Sequence, residues 1–157
     1  MQKYTWFFSL KEQLTRETET KLSQTFESFL AQWKSHGTPV HGNIQLRYSR
    51  FVIVQADPND HRPSGCSIDN LKRSVGGILE HFSLDTVDNA YVWYKDQAGE
   101  VSSTHFREIG NLVASGELTP DTLIFDHTLS NSDDLTKWEV ALKDSWLKRY
   151  LKSSPTS

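Results

Sequence analysis

Between Thr15 and Gly37 the apolar residues recur at helical spacing. Their steps of four, three, one and three residues place them on one face of a helix. Thr15 is a candidate N-cap, because its hydroxyl can accept a hydrogen bond from an unpaired amide of the first turn. Gly37 and Pro39 predict the end of this helix. The apolar face consists of Leu22, Phe26, Phe29, Leu30 and Trp33.

A second stretch with helical spacing runs from about Cys66 to Phe82. Cys66 or Ser67 is its predicted N-cap, and Gly76 and Gly77 lie in its middle. Each glycine costs a helix about 1 kcal/mol relative to alanine, so we expect another element to pack closely against the backbone there. The apolar face consists of Ile68, Leu71, Val75, Ile78, Leu79 and Phe82.

Shorter segments of the first half carry strand patterns. Residues 4–8 are rich in aromatic and β-branched side chains, and residues 43–48 alternate polar and apolar ones. The Tyr-Ser-Arg segment at 48–50 predicts a turn, after which residues 51–54 are apolar throughout. We therefore expect a first strand and then a hairpin whose second strand is covered on both faces.

The second half of the chain shows a predicted strand at 89–96, a turn at 97–99 and a short return strand. Thr104 is the predicted N-cap of a helix that buries Phe106 and ends at Gly116. Residues 118–126 predict a turn and a strand, and residues 131–134 a polar loop. A final helix is expected from about Val140, with one broad face of Val140, Leu142, Trp146, Tyr150 and Leu151.

These elements predict an α+β protein with an antiparallel or mixed sheet and three to four helices. Residues 1–84 form a predicted N-terminal α/β half, residues 85–152 a C-terminal half, and residues 153–157 a disordered tail. The pattern leaves open whether the halves are two similar, closely packed parts of one compact domain or separate domains.

Composition narrows the function classes. The chain has 157 residues, 36% of them apolar, and a net charge of -3, which predicts a folded protein without a nucleic-acid or membrane partner. The single cysteine excludes an internal disulfide, and residues 1–10 lack the core of a signal peptide, so we predict a cytoplasmic location. No apolar run is long enough to span a membrane. The sequence contains no cofactor motif, so no cofactor is predicted.

Three segments resemble a small family of uncharacterised bacterial proteins. They are QWKSHGTPVHGNIQLRYSRFVIVQAD at 32–57, SGCSID at 64–69 and WEVALKDSW at 138–146. Some members of that family carry the label "ABC transporter ATPase". A phosphate-binding loop requires G-x-x-x-x-G-K-[ST], and none of the eight glycines here is followed by lysine. The sequence therefore excludes a P-loop ATPase.

The C-terminal half also resembles the GYF-2 type of small adaptor domain. The matching residues are VWYKDQAGEV at 92–101, LVASGELTPDTLIF at 112–125, and Trp138. The resemblance implies a hairpin, a helix and a strand with aromatic residues on one surface, in a module that binds partners and catalyses no reaction. The usual Gly-Pro before the helix and the Gly-Tyr-Phe triplet are absent, so binding of proline-rich peptides is not implied.

Cys66 is the candidate for covalent chemistry. At a helix N-terminus the dipole and the unpaired amides lower the pKa of a thiol, and the resulting thiolate is a nucleophile. His36, His41 or His61 can supply an imidazole base. The alternative is a small, buried and inert thiol.

Two polar groups also have a chemical and a structural interpretation. Asp57, Asp60 and His61 can hold a divalent cation, but aspartate, proline and asparagine also form turns for backbone reasons alone. Arg47 and Arg50 can bind phosphate or carboxylate groups, and a solvated hairpin tip is the alternative.

Aromatic side chains are the candidate contact residues. Trp93, Tyr94, Trp138 and Trp146 can anchor an interface, and filling the core is the alternative. The first hypothesis is a non-enzymatic binding or adaptor protein whose partner is a protein segment, a second copy of itself, or both. The alternative hypothesis is a thiol-dependent enzyme that uses Cys66 with a nearby histidine.

Overall fold

The computed structural model describes residues 4–32, 34–35, 38–39, 42–56, 65–129 and 135–152. These residues divide into two compact units, which meet along the sequence between Val87 and Asp88. The predicted boundary after residue 84 lies earlier in the sequence. The structural boundary comes later because a short strand at Thr86–Val87 still pairs with the first strand of the chain. All described strand pairings are antiparallel, and helices accompany strands in both units, which confirms the α+β prediction.

The N-terminal unit contains a four-stranded sheet and two long helices. Its elements are β1 (Tyr4–Leu10), α1 (Arg16–Gln32), β2 (Lys34–Ser35), β3 (Thr38–Pro39), β4 (Gly42–Arg47), β5 (Phe51–Ala56), α2 (Gly65–His81) and β6 (Thr86–Val87). The strands of the sheet follow the order β4-β5-β1-β6, and β2 and β3 form a separate two-stranded ribbon. The helices pack their apolar faces on one side of the four-stranded sheet.

Helix α1 begins as its sequence predicts. The amide of Thr18 donates to the Thr15 hydroxyl at 3.2 Å, which satisfies one unpaired donor of the first turn. Leu22 and Phe26 are fully buried, while Phe29 and Leu30 pack beside them at partial burial. The predicted helix end at Gly37 and Pro39 is wrong, because α1 ends at Gln32 and Lys34–Ser35 already form β2. Trp33 and Gly37 themselves lie outside the described residues.

The predicted hairpin is confirmed as β4 and β5. Tyr48 and Ser49 form its turn with φ angles of 57° and 53°, and the strands pair from Arg47 with Phe51 outward. All four residues from 51 to 54 are 0% exposed, so this strand is covered on both faces as expected.

Helix α2 differs from its prediction at two points. It already includes Cys66 and Ser67, so the predicted N-cap at either residue is wrong. The expectation of a close neighbour at Gly76 and Gly77 is also wrong, because a Cβ atom built on either residue meets nothing within 4 Å. These glycines therefore lower the stability of the helix without serving a close contact.

The C-terminal unit contains a second four-stranded sheet with short helices. Its elements are β7 (Tyr91–Lys95), β8 (Val101–His105), α3 (Ile109–Ala114), β9 (Leu123–Phe125), β10 (Glu139–Ala141) and α4 (Arg149–Lys152). The strand order is β10-β9-β7-β8. Single 3₁₀ turns at Phe106–Glu108 and Trp146–Lys148 lead into α3 and α4. One cluster of its buried side chains consists of Val92, Tyr94, Ile109, Leu118, Ile124, Leu142 and Leu147, and Trp93, Phe125 and Trp138 are buried as well.

The start of the third helical segment is one residue later than predicted. Thr104 still belongs to β8, and the Nδ1 atom of His105 accepts the cap bond from the amide of Arg107 at 3.2 Å. Phe106 is 38% exposed and does not face the core, so its predicted burial is wrong. Gly116 ends the segment as predicted, with a φ of 82° and its amide bonded to the carbonyl of Val113 at 3.1 Å.

The predicted long C-terminal helix is wrong. Val140 lies in β10, where it pairs with Ile124, and the α-helix begins only at Arg149. A β-branched valine pairs well across a sheet, and this tertiary contact overrides the helical spacing of residues 140–151. Of the predicted face, Leu142 is fully buried while Trp146 is 41% exposed, so these two residues do not share one face. Leu147, which the prediction leaves off this face, is fully buried.

We expect Gly76→Ala and Gly77→Ala each to raise the free energy of unfolding by about 1 kcal/mol, because alanine favours the helix and has open space at both positions. Urea denaturation measures the change. Gly116→Ala is the matched control and should lower stability by about 1 kcal/mol, since its φ of 82° is unfavourable for alanine. Destabilisation by both helix variants would contradict the open surroundings of these glycines.

Candidate interaction surface

The candidate catalytic and metal-binding residues fall largely outside the described structure. The backbone of Cys66 lies in the first turn of α2, so the pairing of its thiol with a histidine stays a prediction. Among the residues that the structure describes, no group of three or more His, Cys, Asp and Glu side chains is placed to hold a metal ion. The candidates outside the described residues are His36, His41, Asp57, Asp60 and His61.

Three of the four predicted aromatic contact residues belong to the core. Trp93 is 2% exposed, Tyr94 6% and Trp138 1%. Trp138 packs against the ring of Phe125 with centroids 4.9 Å apart. These side chains are not accessible to a partner, which corrects their assignment to a contact surface. Trp146 is the fourth candidate, and it is exposed.

The hairpin tip that carries the predicted arginine pair is only partly exposed to solvent. Arg47 and Arg50 are half-buried, and the carbonyl of Arg50 accepts the amide of Leu10 at 2.9 Å. The carbonyl of the preceding residue, Ser49, accepts a hydrogen bond from the amide of Leu14 at 2.7 Å, and the Ser49 hydroxyl donates to Glu19 at 3.1 Å. The tip is thus bonded to the β1–α1 connection and to α1, and these contacts give the segment a structural role.

Trp146 forms an exposed patch with two side chains of α4. The guanidinium of Arg149 lies 5.8 Å from the centroid of the Trp146 ring and 5.1 Å from that of Tyr150. Its Nη2 atom also lies 3.3 Å from the Tyr150 hydroxyl. We call these three residues the Trp146 patch. A cation held between two aromatic rings is partly ordered before any partner arrives.

Ser145 is the residue that turns Trp146 outward. It is buried, donates its hydroxyl to the carbonyl of Leu142 at 2.8 Å, and accepts the amide of Leu147 at 3.1 Å. One 3₁₀ turn ends at this residue and the next begins there. The change of direction buries Leu147 and leaves Trp146 on the surface.

The Trp146 patch lies in a basic segment of an acidic protein. Residues 143–152 contain four basic residues and one acidic residue, although the whole chain has a net charge of -3. Lys143 is paired with Asp121 at 3.0 Å, and this contact raises the pKa of the lysine. Lys148 is exposed beside the patch. The segment around the patch is therefore locally basic.

A second group of exposed aromatic rings lies where β7 and β8 pair. The ring of His105 is 5.5 Å from that of Tyr91 and stacks on that of Phe106 at 4.7 Å. Tyr91 is 41% exposed and Phe106 38%. Neither Tyr91 nor Arg149 is predicted from the sequence as a contact residue. The one sequence feature that points to them is their short separation along the chain from other aromatic residues.

His127 is the one described residue with a strongly lowered pKa. Its ring stacks on Trp138 with an interplanar angle of 9°, and its Nε2 atom is buried although the residue as a whole is only partly so. Burial lowers the pKa of His127 to about 4, against the opposing effect of the Asp126 charge. The imidazole is therefore neutral at pH 7, and its ring packs against the indole of Trp138.

We expect Ser145→Ala to lower the free energy of unfolding by about 1 to 2 kcal/mol, because the buried turn loses both bonds of the hydroxyl. Thermal unfolding measures this loss. Ser115→Ala is the control, since the Ser115 hydroxyl bonds the Leu112 carbonyl at an exposed position and should cost less. Equal losses in the two variants would contradict the central role of Ser145.

We expect the free energy of unfolding to decrease as the pH falls from about 6.5 to about 4. The unfolded chain binds a proton at His127 below its ordinary pKa of 6.5, whereas the folded chain binds one only near pH 4. The loss is at most about 3.4 kcal/mol. Urea denaturation over this range should show a shallower decrease in His127→Phe, and the exposed His81→Gln variant should follow the wild type. An unchanged slope in His127→Phe would contradict the assignment.

In the described part of the chain, no helix has the length and apolar character needed to cross a membrane. Comparison with known proteins finds no matching family model, no matching curated protein and no matching solved structure.

Proposed function

We propose that the protein is a non-enzymatic binding module whose C-terminal unit docks an acidic segment of a partner protein on the Trp146 patch. The observation that carries this proposal is the arrangement of Trp146, Arg149 and Tyr150, in which one guanidinium lies within 6 Å of two aromatic rings. Tryptophan, tyrosine and arginine are the three residue types most enriched at the energetic centres of interfaces.

The positioning of the patch supports binding. Trp146 and Tyr150 are attached to a buried framework of Leu142, Ser145 and Leu147, so their backbone is fixed by the core. Residues held on such a framework lose little conformational freedom when a partner binds. The remaining exposed area of Trp146 can then be buried against the partner with a small entropic cost.

The charge of the Trp146 patch indicates the chemistry of the partner segment. Arg149 and Lys148 supply positive charge, and the basic segment contrasts with the acidic remainder of the chain. A segment that carries aspartate or glutamate next to an apolar side chain would satisfy both the cations and the indole ring. The long-range attraction is expected to weaken as salt is added.

The resemblance to GYF-2 adaptor domains supports the same class of function. A hairpin of β7 and β8, the helix α3 and the strand β9 follow one another along the C-terminal unit, which is the order that the resemblance implies. The proposal includes a cytoplasmic location, because a chain with one cysteine gains no internal disulfide from an oxidising compartment.

We expect peptides selected from a displayed library of acidic sequences to bind the full chain, and Trp146→Ala to weaken this binding about tenfold or more. Arg149→Lys keeps the charge but loses the planar group, so it should also weaken binding. Fluorescence anisotropy with labelled peptides measures the dissociation constants.

Tyr91→Ala is the matched control for this experiment, because Tyr91 and Trp146 are both 41% exposed in the same unit. This variant should bind the selected peptides like the wild type. A library that yields no acidic ligand, or ligands that tolerate loss of Trp146 as well as loss of Tyr91, would refute the proposed site.

A further inference from the structure

Among the strands that the structure describes, β8 lies at a sheet edge, and its sequence lacks the residues that usually protect such an edge. It ends the sheet order β10-β9-β7-β8, and its five residues pair with β7 without a bulge. Its sequence, VSSTH, contains no proline, lysine, arginine or acidic residue. Natural proteins commonly guard sheet edges with such residues or with bulges, because an open row of backbone groups can pair with another chain.

The hydrogen bonds at both ends of the hairpin determine which residues of β8 face outward. The amide of Asp96 donates to the carbonyl of Glu100, and the amide of Phe106 to that of Ala90, each at 2.8 Å. Bonded and non-bonded pairs alternate in an antiparallel ladder. Residues 102 and 104 therefore bond to β7, while Val101, Ser103 and His105 direct their backbone groups away from the sheet. Ser103 is also exposed.

We propose that a second copy of this chain pairs with β8 through its own β8, antiparallel, about a two-fold axis at Ser103. This register pairs Ser103 with Ser103 of the partner subunit, and Val101 with His105 of the partner subunit. Every outward residue meets an outward residue, so each of these pairs can exchange two backbone bonds. A shift by one residue would oppose outward and inward groups and lose the ladder.

The charges at the two ends of β8 fit this arrangement. Glu100 precedes the strand, and Arg107 follows it with its guanidinium 5.8 Å from the Phe106 ring. The two-fold axis places Glu100 opposite Phe106 of the partner subunit, next to Arg107 of the partner subunit. Glu100 therefore lies near the 3₁₀ turn of the partner subunit that carries Arg107, and the acidic Glu108 of the partner subunit follows in the same turn. A parallel pairing would instead bring like charges together.

The same register covers exposed aromatic surface. Tyr91 and His105 are opposite each other in β7 and β8, with their rings 5.5 Å apart. Paired residues share a face of the sheet, so Val101 of the partner subunit extends this row beyond His105. Self-pairing thus adds apolar cover near an otherwise exposed group, and it joins two four-stranded sheets into one. Closed two-fold contacts of this kind are the commonest route to homodimers.

Sedimentation velocity on the full chain tests the proposal. We expect a concentration-dependent dimer, and Ser103→Pro should weaken it about tenfold or more, because both copies lose the outward amide of Ser103. That amide does not bond to β7, so the hairpin itself should persist. Ser103→Thr keeps the amide and should dimerise like the wild type. Trp146→Ala should also dimerise normally, which separates this proposal from the docking of an acidic segment.

A charge exchange provides a second test that does not depend on proline. Glu100→Arg and Arg107→Glu should each weaken the dimer, and the double variant should recover it because the opposite charges face each other again. A wild-type chain that stays monomeric at about 100 µM overturns the proposal. So does a dimer whose affinity is unchanged in Ser103→Pro and in both charge variants.

Discussion

The buried hydroxyl of Ser145 is the interaction on which the candidate surface depends. A continuous helix from Val140 would place Trp146 one turn from Leu142 and one turn from Tyr150, on a shared apolar face. The Ser145 hydroxyl instead donates to the carbonyl of Leu142 and accepts the amide of Leu147, so two 3₁₀ turns meet at this residue. The core then takes up Leu147, and Trp146 projects outward with Arg149 beside it.

The sequence predicts those parts of the fold whose signals are local. The Thr15 cap, the apolar face of α1 from Leu22 to Leu30, the Tyr-Ser-Arg turn and the end of the third helical segment at Gly116 each follow from a few adjacent residues, and each is confirmed. Residues 140–151 could not be assigned in this way, because their apolar spacing fits both a helix and a short strand followed by turns. Pairing with β9 decides between them, and that contact is not visible in the sequence.

The candidate surface is predictable only in part, for a related reason. Trp146 was a contact candidate from composition, but so were Trp93 and Trp138, and tertiary packing buries those two. The role of Arg149 follows from the path of the chain between Ser145 and α4, which brings its guanidinium over two rings. With self-pairing through β8, each assembly would present two such patches, and a partner with repeated acidic segments would gain avidity from both.

The turn between β4 and β5 has a consequence for how the N-terminal unit folds. Tyr48 and Ser49 both adopt left-handed backbone angles, which cost about 1 to 2 kcal/mol for each residue other than glycine. The hydrogen bonds of Ser49 to Leu14 and Glu19 offset this cost. Glu19 lies in the first turn of α1, and Leu14 precedes the helix. The conformation of this turn is therefore stabilised in part by contacts with α1 and the residues before it. Because these bonds join the hairpin to the helix, we expect the two elements to unfold together.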